Sequence, residues 1–235
     1  MSRTALWFRS LLLPDGWADG VRLSMVDGRI ETLMKDTPAE AGDEIHEIGL
    51  PGLPNLHSHA FQRGMAGLTE QRGNTEDSFW TWREAMYRFV DHMGPDEVEA
   101  IAAQAYMEML ESGFTRVGEF HYVHHDPDGA PYANIAELAT RIAAAAGETG
   151  IALTLLPVFY LHAGFGGLPA APGQRRFVND VDRYGRLIEA SRKAVSSLSG
   201  AMVGIAPHSL RAATPEEIAA ILPLAAGGPV HIHVA

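Results

Sequence analysis

The sequence predicts an α/β fold: a (β/α)8 TIM barrel, with the first five strands present, and a small β-sandwich domain at its flank. Three observations predict it. The first 50 residues carry strand and turn signals but no helical period. From Gly52 onward, apolar strands alternate with helical segments, which is the pattern of a parallel sheet. Histidines and other reactive side chains stand at or just after strand ends, the face that carries the active site in barrels. A doubly wound sheet shares the last two features in weaker form, but no GxGxxG follows a strand here.

Residues 1–50 are expected to form the N-terminal part of the β-sandwich domain. Ala5–Leu13 is largely apolar and ends at Pro14-Asp15-Gly16. Val21–Val26 alternates and stops at Asp27-Gly28, a hairpin signal, after which Arg29–Leu33 resumes the alternation. Glu44–Ile48 closes the group. Residues 51–235 are expected to supply the first five β/α units of the barrel. The strands are Leu53–His57, Thr115–Phe120, Ile151–Phe159, Met202–Ala206 and Pro229–Val234, most of them apolar enough for burial on both faces. Between the first two lies a long excursion with Phe79–Val90 and then the helix Pro95–Ser112, which opens on a proline and stops at Gly113. Further helices are expected at Ala133–Glu148, Val181–Ser197 and Pro215–Leu222, the last with Thr214 as its N-cap.

Composition narrows the function. Hydrophobic residues make up 46% and charged residues 20% of 235, the balance of a globular domain. The formal net charge of −11 repels nucleic acid and anionic lipid, and no Lys/Arg cluster reverses it locally. There is no cysteine, so any metal must be held by histidines and carboxylates. No secretory apolar core and no membrane-length apolar run is present, and a cytoplasmic location is expected.

His57-Ser58-His59 ends the first strand of the barrel series. Residues i and i+2 of a strand share a face, so both imidazoles can reach one point in the barrel mouth. Alone, such a pair is common and can be two ordinary polar residues. The last strand repeats it as His231-Ile232-His233, and two pairs on separate strands point to a metal site with one position open for water. One histidine of the second pair can still be a core residue. His46, His92 and His162 read as surface residues. His121, His124, His125 and His208 follow strands, where substrate contact and, for His124 and His125, a solvated loop are both open readings.

Pro54-Asn55-Leu56-His57-Ser58-His59 resembles the strand-one metal motif of the amidohydrolase superfamily, and His233 falls where the strand-five ligand sits in its deaminase branch. HxH marks only the superfamily. The stretches HSHAFQRGMAG, FWTWREAMY, FHYVHH and PHSLRA together resemble the formimidoylglutamate deiminase family, over nearly the whole chain. That family hydrolyses N-formimidoyl-L-glutamate to N-formyl-L-glutamate and ammonia in histidine degradation. The resemblance implies one zinc ion per chain with ligands His57, His59 and His233, and substrate contacts from Gln62, Arg83, Tyr122, His208 and Arg211. Forked arginine donors suit a substrate with two carboxylates, although by themselves Arg83 and Arg211 read as surface cations.

The implied ligand is therefore a small dicarboxylate, with neither nucleic acid nor membrane as partner, and the expected assembly is a homodimer. The metal would make hydroxide available near neutral pH, and proton transfers would release ammonia. The family's proton-transfer Glu would stand three residues beyond His233, just past Ala235, so no general acid or base is expected within these residues. A barrel with five of eight units cannot close, which predicts that the chain continues and that these residues alone are inactive and insoluble. Two rival functions remain: a guanine- or cytosine-type deaminase, and an inactive barrel kept as a binding protein.

Overall fold

The computed structural model describes residues 3–69 and 79–234, with the side chains of Phe79 and Trp80 in the FWTWREAMY stretch outside that description. It divides into two units, Met1–Gly52 and Leu53–Ala235. The first is a four-stranded sheet built from β1 (Arg3–Leu13), β2 (Gly16–Val26), β3 (Arg29–Met34) and β4 (Glu44–Gly49), in the order β3-β2-β1-β4. β4 joins β1 in parallel, and the other pairs are antiparallel. Asp27 and Gly28 both take positive φ, 49° and 76°, the mirror-image turn whose twist suits a hairpin. β2 begins five residues before the expected Val21. The reason is that Pro14-Asp15 makes a two-residue turn, which pairs Leu13 directly with Gly16.

The second unit carries the parallel sheet. Its strands are β5 (Leu53–Ser58), β6 (Phe114–His121), β7 (Ala152–Phe159), β10 (Met202–Val203) and β11 (Ala206–Pro207). β5 pairs β6, β6 pairs β7, and β7 pairs both β10 and β11, every time in parallel. Ile205 then bridges Val230, so the last segment adds at the far side of strand four. Each strand lies beside its predecessor with no reversal of order. A doubly wound sheet reverses at a switch point, whereas a barrel does not, and this order is that of a partial barrel. The helices α2 (Pro95–Glu111), α3 (Glu137–Thr149), α4 (Val181–Ala194) and α5 (Pro215–Ile221) pack successively on one another, and α1 (Phe79–Val90) precedes them.

Several expectations need correction. The fourth strand breaks into β10 and β11 around Gly204, where an added Cβ would lie 2.3 Å from the Pro229 carbonyl oxygen. The fifth strand is held by backbone bonds at Ile205, His231 and His233 and makes one bridge rather than a continuous ladder. Not all strands are buried on both faces: Leu53, Leu56, Val230 and Ile232 are exposed at the two margins of the sheet. α3 starts at Glu137, not Ala133, because the Asn134 side chain accepts the Ala136 N–H at 3.1 Å and holds a turn ahead of the helix. A short hairpin, β8 (His162–Gly164) with β9 (Leu168–Pro169), was not expected in the Gly-rich loop. Between the sheet and helices runs one apolar core, with Tyr106, Leu155, Phe159, Tyr184 and Ile188 fully buried. Among the described residues, no helix is long and apolar enough to cross a membrane.

Candidate metal centre and cavity

Strand parity sends alternate residues of β5 to opposite faces, and His57 and His59 share one. Their rings stand 4.7 Å apart and nearly perpendicular. His233 reaches the same place from the last segment, where its N–H donates to the His208 carbonyl at 3.0 Å. The Nε2 atoms of His59 and His233 each lie 3.2 Å from that of His57. Two nitrogens bound tetrahedrally to zinc at ~2.0–2.1 Å would be about 3.3–3.4 Å apart. The three side chains therefore have the spacing of a ligand set. Among the described residues they are the one group of three or more His, Asp or Glu whose ligand atoms all fall within 4.8 Å of one another.

The chemistry of the donors fits as well. His59 Nδ1 sits 2.9 Å from the Phe120 carbonyl, which can only accept, so the proton is on Nδ1 and the Nε2 lone pair is free. Burial lowers the His59 pKa to about 4, opposed in part by the Phe120 carbonyl and helped to a lesser degree by the neighbouring His57 and His233 imidazoles. Burial followed by the charge of His57 and Arg211 lowers His233 to about 4. Burial and His231 also lower His57. All three are neutral at pH 7, the state a metal ligand requires. His231 is not part of the group: its N–H donates to the Ile205 carbonyl.

Next to the histidines opens a cavity of about 320 Å³, at the small end for a ligand site. Gln62, Arg83, Tyr122, His208 and Arg211 all line it, together with His59 and His233. Gln62 Nε2 donates to the Tyr122 hydroxyl at 2.9 Å. Arg83, on α1, lies 5.6 Å from the centre of the Tyr87 ring. Burial, with His233, His59 and Arg211 adding to it, lowers His208 to about 3, so its imidazole is neutral.

The remaining histidines go elsewhere. His121, His124 and His125 are buried and line no part of the cavity, which corrects both the substrate-contact and the solvated-loop readings. For His121 parity explains it, since Phe120 and Tyr122 face the site and His121 faces the other way. His124 and His125 lie beyond the strand, where their Nε2 atoms bond the Val158 and Val178 carbonyls. His162 is not a surface residue either; it is half-buried and 2.8 Å from Glu217. His46 is half-buried and stacks on Phe8 at 5.2 Å, while His92 is exposed as expected.

One neighbour of the centre, and one buried ionisable group behind it, escaped the sequence reading. Phe120 stacks on His233 at 4.3 Å and lies within 5.3 Å of His57 and His59, forming the apolar floor of the centre. Its signal was its place in FHYVHH, at the strand end, with the right parity. Glu119 is buried on the same strand and accepts the Ala60 N–H at 2.8 Å, just beyond His59. Burial raises its pKa to about 7, against the Ala60 N–H and the facing Ser58 and Tyr106 hydroxyls. A glutamate inside an apolar strand was the available clue.

With a parallel half-barrel and a histidine cluster at its strand ends, the class of protein is defined. The chain belongs to the amidohydrolase family, whose model matches residues 48–235. Residues 4–47 match a second model, described as Formimidoylglutamate deiminase HutF, N-terminal domain. Among characterised relatives, the chain is 52% identical to the formimidoylglutamate deiminase of Pseudomonas aeruginosa, over 99% of its own length and 51% of that protein. Among solved structures, an amidohydrolase from Brucella melitensis is 55% identical, with a TM-score of 0.96 over 98% of this chain and 52% of that one. A mutant atrazine chlorohydrolase TrzN from Arthrobacter aurescens, in complex with zinc and atraton, is 18% identical. It has a TM-score of 0.71 over 98% of this chain and 53% of its own, a likeness that shows the fold alone. The chain spans about half the length of the relatives it matches.

Proposed function

We propose that this protein hydrolyses N-formimidoyl-L-glutamate to N-formyl-L-glutamate and ammonia, using one zinc ion held by His57, His59 and His233. The observation that carries this reading is one cavity whose walls hold both His59 and His233 of the histidine cluster and two arginines, Arg83 and Arg211. A substrate with a reactive carbon–nitrogen bond and two carboxylates uses both features. The 52% identity to a formimidoylglutamate deiminase supports the same substrate.

When bound, a divalent ion supplies Lewis-acid chemistry and acidifies a water molecule. The rest belongs to the protein. His59, locked by the Phe120 carbonyl, presents a lone pair in a fixed direction. Arg83 and Arg211 hold the two carboxylates through forked, permanently charged donors. Gln62 and Tyr122, already bonded to each other, line the same cavity and orient the substrate by hydrogen bonding. His208, kept neutral by burial, adds polarity without adding a competing cation. Fixed orientation of this kind is worth several kcal/mol, on the order of 7 or more in favourable cases.

Deamination of guanine or cytosine is the rival within the family. A flat neutral base has little use for two guanidiniums. Ammonia release from formimidoylglutamate, guanine and cytosine, measured on the full-length protein, separates the readings. Turnover of formimidoylglutamate alone is expected. Release from either base, with none from formimidoylglutamate, would overturn the substrate assignment.

A further inference from the structure

The cavity holds two further hydroxyls that the metal centre and its substrate contacts leave unexplained. Tyr160, just after β7, and Tyr87, on α1, both line it. Their common partner is Gln174, buried in a single helical turn at Pro172–Gln174. Gln174 Oε1 accepts the Ala171 backbone N–H at 2.7 Å. A backbone N–H can only donate, so this contact fixes which end of the amide is oxygen. The amide nitrogen is then the end facing the tyrosines. It donates to the Tyr160 hydroxyl oxygen at 2.5 Å, and the Tyr87 hydroxyl faces the same amide.

A polarity follows from this chain of contacts. Tyr160 is an acceptor toward Gln174, so its own proton is available to an acceptor in the cavity. Arg83 and Arg211 line the same cavity and are donors only, so neither can take it. A buried tyrosine hydroxyl ordinarily finds a partner, and an anionic oxygen between these cations is the matching one. The placement is rigid. The Leu161 and His162 N–H groups both donate to the Ala212 carbonyl, at 2.8 and 3.1 Å, tying the Tyr160 loop to that of Arg211. The Asn179 N–H donates to the Tyr160 carbonyl at 2.9 Å.

We propose that Tyr160, with Tyr87 beside it, donates a hydrogen bond to a substrate carboxylate held by Arg83 and Arg211, and that Gln174 sets the direction of that bond. This inference rests on the dicarboxylate reading above. Its test uses the zinc-loaded full-length protein and Tyr160→Phe, with Tyr87→Phe as a second variant. Calorimetric binding of N-formyl-L-glutamate should weaken by about tenfold in Tyr160→Phe, and KM for formimidoylglutamate should rise by a similar factor. The kcat should stay within about twofold, with zinc content and Tm unchanged. Tyr87→Phe should show a weaker effect of the same kind. Unchanged Kd and KM in both variants overturn this inference alone. So does a loss of zinc or kcat with KM unchanged, which would mark a structural role. Wild-type protein that neither binds nor turns over either dicarboxylate overturns the substrate reading, and this inference with it.

Discussion

His57, His59 and His233 bring their Nε2 atoms to one locus, while His121, His124 and His125 are buried and share none. In the second trio two rings are tied to the fold by one nitrogen each: His124 Nε2 bonds the Val158 carbonyl and His125 Nε2 the Val178 carbonyl, each at 2.9 Å. Both trios stand at strand ends on the same sheet. The difference lies in convergence, not in residue type. A histidine becomes a candidate ligand when the chain turns it toward others, and a core residue when, like His124 and His125, it is buried against backbone carbonyls instead.

That contrast can be broken by mutation. The largest effect is expected at the first trio: His57→Ala and His59→Ala should each lose bound zinc and activity together, read by metal analysis and ammonia release. His124→Ala should do the reverse. It should keep its zinc while losing about 2–4 kcal/mol of stability, read by denaturant unfolding, because a buried ring is replaced by a void. Loss of zinc in His124→Ala, or its retention in His57→Ala, would erase the distinction between the groups.

A smaller effect is expected at the arginines. Arg83→Met and Arg211→Met should lower kcat/KM for formimidoylglutamate by roughly ten- to a hundred-fold, about 1.5–3 kcal/mol, with zinc retained. Wild-type values in both would leave the metal centre standing and remove the dicarboxylate.

The smallest concerns Glu119 and pH. Burial raises its folded pKa from 4.5 to about 7, so folding favours the protonated form. Below pH 4.5 the group is neutral in both states and costs nothing. As pH rises to about 7, the unfolded chain ionises it first and stability falls; above that the penalty is constant. Glu119→Gln should remove this slope, gaining stability relative to wild type between pH 4.5 and 7 in thermal melts. Parallel pH profiles for the two proteins would contradict the assignment.

Much of the fold was legible because it rests on local chemistry. The Asp27-Gly28 turn, Pro95 at a helix start and Thr214 capping α5, with Glu217 bonding back to its N–H, are decided within a few residues. The histidine pair at β5 was legible for the same reason, since period two is a property of any strand. Other features depend on partners far along the chain. The break at Gly204 exists because the Pro229 backbone crosses there, and Gln174 matters because Tyr160 and Tyr87 meet it. The sorting of FHYVHH into cavity-facing and core residues needed the register of β6 against β7, which no local pattern supplies. His162 looked exposed in its glycine-rich loop because its partner, Glu217, lies 55 residues away.

The most direct test of the account is an anomalous difference map at the zinc absorption edge, from crystals of the full-length protein. The account predicts a peak at ~2.0–2.1 Å from the Nε2 atoms of His57, His59 and His233. A peak among His121, His124 and His125, or His233 turned away from a zinc bound at His57 and His59, would contradict it.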